Sequence, residues 1–209
     1  MTSTLFVEEI KGRTTGTNAN KVIVPSGQTL EVPTVTGNPS FTGGLKVNTV
    51  QDTTGTTAMT IDSSGRIVQP AKPAWFVGKT GNAQAAANPV VFDDVDVNVG
   101  SIYSNSTGKV TIPVAGNYYM FFKIMSVSGS SGNGEAQIRI NRQPSGGSVT
   151  TIPHSYQYGK VAGTDFSGQH FGLFTAVIAT LALNDDITCQ TDYQGYYGAG
   201  YTAFGGYLL

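Results

Sequence analysis

The stretch Gly108-Lys109-Val110-Thr111-Ile112-Pro113-Val114-Ala115-Gly116-Asn117-Tyr118-Tyr119-Met120-Phe121-Phe122 constrains the fold more than any other part of the chain. It reads as a strand, a tight Pro/Gly turn and a second strand. Side chains alternate across a strand, so Tyr118, Met120, Phe122 and Ile124 point one way and Tyr119, Phe121 and Met125 the other. A strand in a solitary two-layer sandwich needs one apolar face. A second apolar face asks for another covering layer, most simply a neighbouring subunit. The segment Phe171 to Leu181 repeats the pattern, with Phe171, Leu173, Val177 and Leu181 on one side and Phe174, Ala176 and Ile178 on the other. Val110, Ile112, Ile138 and Ile140 are one-sided, with Lys109 and Arg139 outward, as ordinary solvent-facing strands require. The expectation is an all-β sandwich that assembles with copies of itself, with Tyr119, Phe121, Phe174 and Ile178 between the copies.

Composition agrees with an all-β chain. Among 209 residues there are 27 glycines and only 12% charged residues, while 39% are hydrophobic, too many and too organised for disorder. The net charge of −1 and the lack of a basic cluster argue against nucleic acid as a partner. No run of about 18 apolar residues occurs, so membrane insertion by a helix is not expected. The start of the chain shows no charged segment leading into an apolar one, and the expectation is assembly in a cytoplasm. The single cysteine, Cys189, excludes an internal disulfide and reads as a buried thiol on the Ile187 face.

Composition divides the chain at about residues 32 and 73. Residues 1–32 hold short strand candidates, Leu5-Phe6-Val7 and Val22-Ile23-Val24, around a polar run. Residues 33–73 hold Leu45-Lys46-Val47, Met59-Thr60-Ile61 and Arg66-Ile67-Val68, with a turn at Asp62-Ser63-Ser64-Gly65. Pro70-Ala71-Lys72-Pro73 then introduces residues 74–209 as a stiff linker. The first 73 residues are too polar to close a core alone, and intertwined chains are the staple left to them. Helix is expected to be minimal: Ala83-Gln84-Ala85-Ala86-Ala87 is the one local helix former and is too short to stand alone.

Four segments in order carry a family resemblance. Pro89-Val90-Val91-Phe92-Asp93 with Val99-Gly100-Ser101-Ile102-Tyr103 resembles early strands of the C1q/TNF-like jelly roll. Gly-x-Val-x-Ile-Pro-x-x-Gly-x-Tyr-Tyr over Gly108–Tyr119 resembles its signature. Leu181-Ala182-Leu183-Asn184-Asp185-Asp186-Ile187 and Ala203-Phe204-Gly205-Gly206-Tyr207-Leu208-Leu209 resemble its later segments. The resemblance covers about residues 74–209 and implies a ten-stranded jelly roll in a compact homotrimer used for binding rather than catalysis. A second resemblance lies upstream. Ser3-Thr4-Leu5-Phe6-Val7-Glu8-Glu9-Ile10-Lys11-Gly12-Arg13-Thr14 and Val22-Ile23-Val24-Pro25-Ser26-Gly27-Gln28-Thr29-Leu30 resemble openings of virion fibre proteins of cyanobacterial tailed phages. Gly44-Leu45-Lys46-Val47-Asn48-Thr49-Val50-Gln51 and Ile61-Asp62-Ser63-Ser64-Gly65-Arg66-Ile67 resemble tail-fibre shaft repeats. These imply a virion-attachment segment over 1–32 with Leu5, Phe6 and Val7 as anchors, a trimeric shaft over 33–73, and a knob over 74–209.

Catalytic chemistry finds little support. His154 and His170 have no local Asp, Ser or Cys arranged as a nucleophilic set. Asp185-Asp186 reads as a turn that stops a strand rather than a facing pair of carboxylates. Gly129-Ser130-Ser131-Gly132-Asn133-Gly134 lacks the Lys-Ser/Thr ending of a phosphate loop. Asp93, Asp94 and Asp96 are weak Ca²⁺ candidates against the simpler reading of a solvated strand edge. No cofactor or metal is expected, and no enzymatic activity.

Recognition is better served. Tyr193-Gln194-Gly195-Tyr196-Tyr197-Gly198-Ala199-Gly200-Tyr201 spaces tyrosines with glycine, which supplies flat, amphipathic contact area at low entropic cost. Tyr193, Tyr196 and Tyr197 are receptor candidates, while Tyr201, read as the start of the last strand, is assigned to subunit packing. His154, Tyr156 and Tyr158 form a second candidate as alternating residues of one strand face, with interface packing as the competing reading. The sequence thus points to a trimeric tailed-phage virion fibre that binds its own copies, other virion proteins, and a host-surface glycan or protein. A purely structural head, neck or baseplate fibre is the alternative, and a polysaccharide depolymerase is disfavoured.

Overall fold

The structure is a computed structural model that describes residues 47–82, 86–125, 135–160, 172–192, 198 and 200–209. The expected anchor at Leu5, Phe6 and Val7, the strand candidates before Val47, Ala83–Ala85, and Phe171 lie outside the described residues.

Three short strands, β1 (Thr49–Gln51), β2 (Thr57–Ile61) and β3 (Ile67–Val68), pair antiparallel in that order. Their two turns are built alike. Asp52 Oδ1 accepts the backbone N–H of Thr54 at 2.8 Å and of Thr56 at 2.9 Å. Asp62 Oδ1 accepts those of Ser64 and Arg66, both at 2.9 Å. Gly55 and Gly65 take the left-handed positions at φ +87 and +76, so Asp-x-x-Gly reads as a turn for a mechanical reason. The expected turn at 62–65 is present. Val50, Ile61, Ile67 and Val68 all remain exposed on this small sheet.

Residues from Ala74 onward form a sandwich. One sheet holds β4 (Ala74–Gly78), β5 (Asp94–Val99), β8 (Gly116–Met125), β12 (Gly172–Leu181) and β14 (Ala203–Leu208), in the order β12-β8-β14-β4-β5. The other holds β6 (Tyr103–Ser104), β7 (Lys109–Thr111), β9 (Glu135–Gln143), β10 (Thr150–Thr151), β11 (Gln157–Lys160) and β13 (Asp186–Thr191), in the order β10-β9-β13-β7-β6, with β11 also on β9. This is an all-β jelly roll without helix among the described residues. Among the described residues it has eleven strands where the resemblance implies ten, and two of the eleven, β6 and β10, are only two residues long.

The core lies between the sheets. Tyr118, Met120, Phe122 and Ile124 of β8 are buried, as alternation predicts, and meet Val110, Ile138, Ile140 and Ile187 from the facing sheet, with Ile112 just beyond β7. Val90 and Phe92 also reach the core at 0% exposure, although Val90-Val91-Phe92, read as an early strand, is not one here. That segment is held by other means. Val90 N–H donates to the Cys189 carbonyl, and the Tyr103 hydroxyl accepts from Phe92 N–H at 2.8 Å and donates to Phe92 C=O at 2.9 Å. Burial pushes the Tyr103 phenol up to about 12 and raises the Cys189 thiol, so both stay neutral parts of the core. Asn184, at φ +65, and the Asp185 carboxylate accepting from Ala182 N–H at 2.7 Å turn the chain after β12, as the sequence reading expects.

Strand direction sorts the connections. The linker ends at Pro73, whose carbonyl accepts from Leu208 N–H at 3.1 Å, so the way into the sandwich and its last residues share one end. At the opposite end, Gly78 pairs with Ala203 and Ala203 with Lys123, while Met125 pairs with Gly172 and Glu135 with Lys160.

Candidate functional site

The two outward faces of the sandwich differ in chemistry. On the six-stranded sheet, Arg139 pairs with Asp192 at 2.6 Å, Lys109 with Asp186 at 2.9 Å, and Asn141 donates to Gln190 at 3.0 Å. Burial raises the Asp186 carboxyl, but hydrogen bonds from Lys109 and Thr111 outweigh it and hold the group below its ordinary value. This is a polar ladder built for water.

On the five-stranded sheet the outward face is aromatic. Tyr119 faces Ile178 on β12 and Tyr207 on β14, its ring 5.6 Å from that of Tyr207. Phe121 stacks on Phe174 at 6.1 Å and meets Phe76 at 6.0 Å across β14. The crossing is possible because Gly205 lies between the two rings: a Cβ there would come within 2.6 Å of Phe121. Behind it, a Cβ at Gly206 would come within 2.5 Å of the Trp75 ring, so the Gly205-Gly206 pair serves both faces. Phe174 is 56% and Ile178 62% exposed, and Phe76, Val95, Val97 and Tyr207 extend the apolar surface toward β5. Four of the residues assigned to subunit packing, Tyr119, Phe121, Phe174 and Ile178, are therefore brought onto one surface.

Tyr201 departs from its expected position. It lies in the connection before β14, which starts at Ala203, and its N–H donates to the Gly198 carbonyl. The residue is exposed at the end of the sandwich, where its connection is held by Gly198 N–H on Asn82 Oδ1 at 3.0 Å and by Lys123 Nζ on the Gly200 carbonyl at 3.1 Å. Tyr193, Tyr196 and Tyr197 lie outside the described residues, as does His170; the residues flanking the tyrosines, Thr191 and Gly198, are at the end opposite Pro73.

His154 and Tyr156 do not share a strand face. β11 begins at Gln157, and His154 sits in a turn at φ +65. Buried Ser155 fixes that turn, its Oγ donating within reach of the Ile152 carbonyl at 2.7 Å and the Ile140 carbonyl at 2.9 Å. His154 is directed to the sandwich edge beside Arg142, whereas Tyr156 lies under Arg139 at 5.8 Å on the polar sheet. Simple alternation missed this turn because it assumed the strand began earlier.

The Ca²⁺ candidates also separate. The Asp93 carboxylate is taken up by Thr80 N–H at 2.9 Å, Thr80 Oγ1 at 3.0 Å and Lys79 at 3.4 Å. Burial opposes its ionisation, yet these partners hold its carboxyl below the ordinary value. Asp94 pairs in β5 with Gly78, and Asp96 falls at the bulge between Phe76 and Val77. Among the described residues no three acids, histidines or cysteines group as metal ligands.

Sequence reasoning missed Phe76, Val95, Val97 and Tyr207. The available signal was the apolar run Ala74-Trp75-Phe76-Val77 directly after Pro73, which is two-sided in the same way as β8.

Residues 74–209 match the C1q domain family, and the chain belongs to it. Two solved structures share the fold. The globular domain of zebrafish complement 1qA aligns at a TM-score of 0.52 with 20% identity, over 66% of this chain and 98% of that one. The Eiger TNF of S. frugiperda aligns at 0.56 with 16% identity, over 68% and 94%. None of the curated proteins compared with the chain matches it.

Proposed function

We propose that this chain is a homotrimeric fibre of a tailed-phage virion whose C-terminal C1q domain adsorbs to the host surface. The observation that carries the reading is the aromatic outer face of the five-stranded sheet, where Phe174 and Ile178 are more than half exposed in a single copy. A surface of this size and continuity is costly to leave in water and is covered at little cost by another copy. Three copies joined there share an axis and present three identical tips, which raises avidity without a tight single site.

The tip is the end opposite Pro73, since a shaft attached through Pro70–Pro73 leaves that end free. The receptor candidates Tyr193, Tyr196 and Tyr197 belong to the segment that leaves β13 after Thr191 at this end. The placement on a phage is supported by the resemblance of the first 73 residues to virion openings and shaft repeats, with the repeated Asp-x-x-Gly turns of β1–β3 as its structural counterpart.

Light scattering on the full chain tests the assembly: a mass of three copies is expected, and a monomer overturns it. Labelled protein should then adsorb saturably to host cells and compete with the virus. A trimer that does neither leaves only the structural role on a head, neck or baseplate. Replacement of Tyr196 and Tyr197 by alanine should abolish adsorption while the trimer persists; loss of the trimer instead makes those rings structural.

A further inference from the structure

The small sheet of β1, β2 and β3 sorts its side chains by face. Val50 stands opposite Met59, and Ile61 opposite Ile67. Met59 and Ile61 are two residues apart on β2, so all four share one face. Thr49, Thr60 and Val68 are paired across the other. The apolar face lies open in a single copy: Ile67 is 65% exposed, and Val50 and Ile61 are each 37% exposed. No residue between Thr49 and Val68 is buried, so the sheet has no core of its own. Strands of three, five and two residues hold together in water only when an apolar face is packed.

Three observations say what packs there. The first is charge. The charged side chains of this segment, Asp52, Asp62 and Arg66, are confined to the turns and their ends. The Asp52 carboxylate takes up the backbone N–H groups of Thr54 and Thr56, and Asp62 pairs with Arg66 at 2.7 Å. The face itself is uncharged and can meet a copy of itself without repulsion. The second is pairing. β1, β2 and β3 hydrogen-bond to one another within one chain, so each copy brings a complete sheet with one open side.

The third is the tether. Only Gln69–Pro73 join β3 to β4, a span of about 17 Å at full extension. Lys72 N–H donates to the Gln69 carbonyl at 3.2 Å, a turn that shortens this reach. β4 belongs to the five-stranded sheet and gives Phe76 to its aromatic face. The small sheet is therefore held close to the surface that the trimer reading places between copies.

We infer that the Val50, Met59, Ile61 and Ile67 face is a second contact between copies, with three such sheets turned inward around the axis shared by the C1q domains. The inference rests on the homotrimer proposed above and adds a surface outside the C1q domain. Four side chains per copy make a weak contact alone. The joined C1q domains supply the local concentration that closes it.

The experiment is thiol cross-linking of the full chain with a short bismaleimide. Cys189 is buried, so an introduced thiol is the reactive one. Ile61→Cys and Thr60→Cys are neighbours on the central strand that point to opposite faces. Ile61→Cys should give linked dimers on a denaturing gel several times faster than Thr60→Cys. Three thiols at one axis leave the third chain unlinked. Because Ile61→Cys shortens a side chain of a small sheet, Met59→Cys on the same face is the second probe. Linkage should be lost when Phe174→Asp and Ile178→Asp are added. Its persistence there marks chance collision and overturns the inference. A monomer by light scattering overturns the assembly reading and this one together. A trimer in which Ile61→Cys and Met59→Cys link no faster than Thr60→Cys overturns this inference alone. So does a trimer in which both thiols resist a single maleimide yet do not link, because residues of the same chain then cover the face.

Discussion

The outer faces of the two sheets are made by the same fold and have opposite chemistry. The six-stranded sheet turns Arg139, Lys109, Asp186, Asp192, Asn141 and Gln190 outward in cross-strand pairs. The five-stranded sheet turns out Tyr119, Phe121, Phe174, Phe76 and Tyr207 in continuous ring contacts. Both faces satisfy the backbone equally, since every strand of either sheet is hydrogen-bonded to a neighbour. The difference therefore reports what each face meets. Polar pairs are stable against water and gain little from cover, while an aromatic surface gains in proportion to the area withdrawn from water.

The largest effect expected from breaking this contrast is on mass. Phe174→Asp combined with Ile178→Asp puts two charges on the apolar face and none in the core. For the trimer proposed above, a fall to monomer in light scattering, with the circular dichroism of a folded β protein retained, is expected. An unchanged mass would move the contact elsewhere.

Next come two neighbours on β8 that point in opposite directions. Phe122→Ala removes a fully buried ring and should cost about 3–5 kcal/mol at any protein concentration. Phe121→Ala, on the outer face, should cost about 2 kcal/mol in the assembled protein, and its effect should vanish as dilution separates the copies. Denaturant unfolding at two concentrations checks both, and a concentration-independent Phe121 effect would make that face self-sufficient.

On the polar sheet, the Asp186 carboxyl is held below its ordinary value of 3.8 in the folded state. Its stabilisation is present above that value and is lost as the pH falls through the lower folded one. Asp186→Asn should thus reduce stability at neutral pH and flatten the acid loss below about pH 4 in thermal unfolding. A parallel acid profile in the variant would place that loss on other carboxylates.

The smallest effect is expected from Arg139→Gln. Its partner Asp192 is substantially exposed, so the pair should contribute about 0.2–1 kcal/mol, read from the shift in unfolding midpoint. A loss several times larger would mean that this face, too, is covered.

The β8 pattern was legible without coordinates, because alternation along a ten-residue strand leaves its two faces no freedom. So were the Asp62 turn, the turn at Asp185 that follows β12, and the inward set of Val110, Ile138 and Ile140. Short elements were less legible. Val90-Val91-Phe92 has a strand's composition but is fastened by Tyr103 and Cys189 rather than by a ladder, a contact that no local pattern encodes. His154 and Tyr156 were separated by a left-handed turn, for which the sequence carries no glycine as a warning.

The apolar period of two in this chain determined by itself that there would be strands, which sides of the long ones would be buried, and that one layer would be left with too much apolar surface. Periodicity is local, and side-chain direction follows from backbone geometry alone. The tertiary structure decided which strands became neighbours. It set Phe76 and Phe121 across Gly205, joined them to Phe174 and Tyr207 in one surface, and brought Arg142 beside β12 at the sandwich edge. Those contacts join residues dozens of positions apart, and they depend on strand order and register, which are fixed by the packing of the whole core.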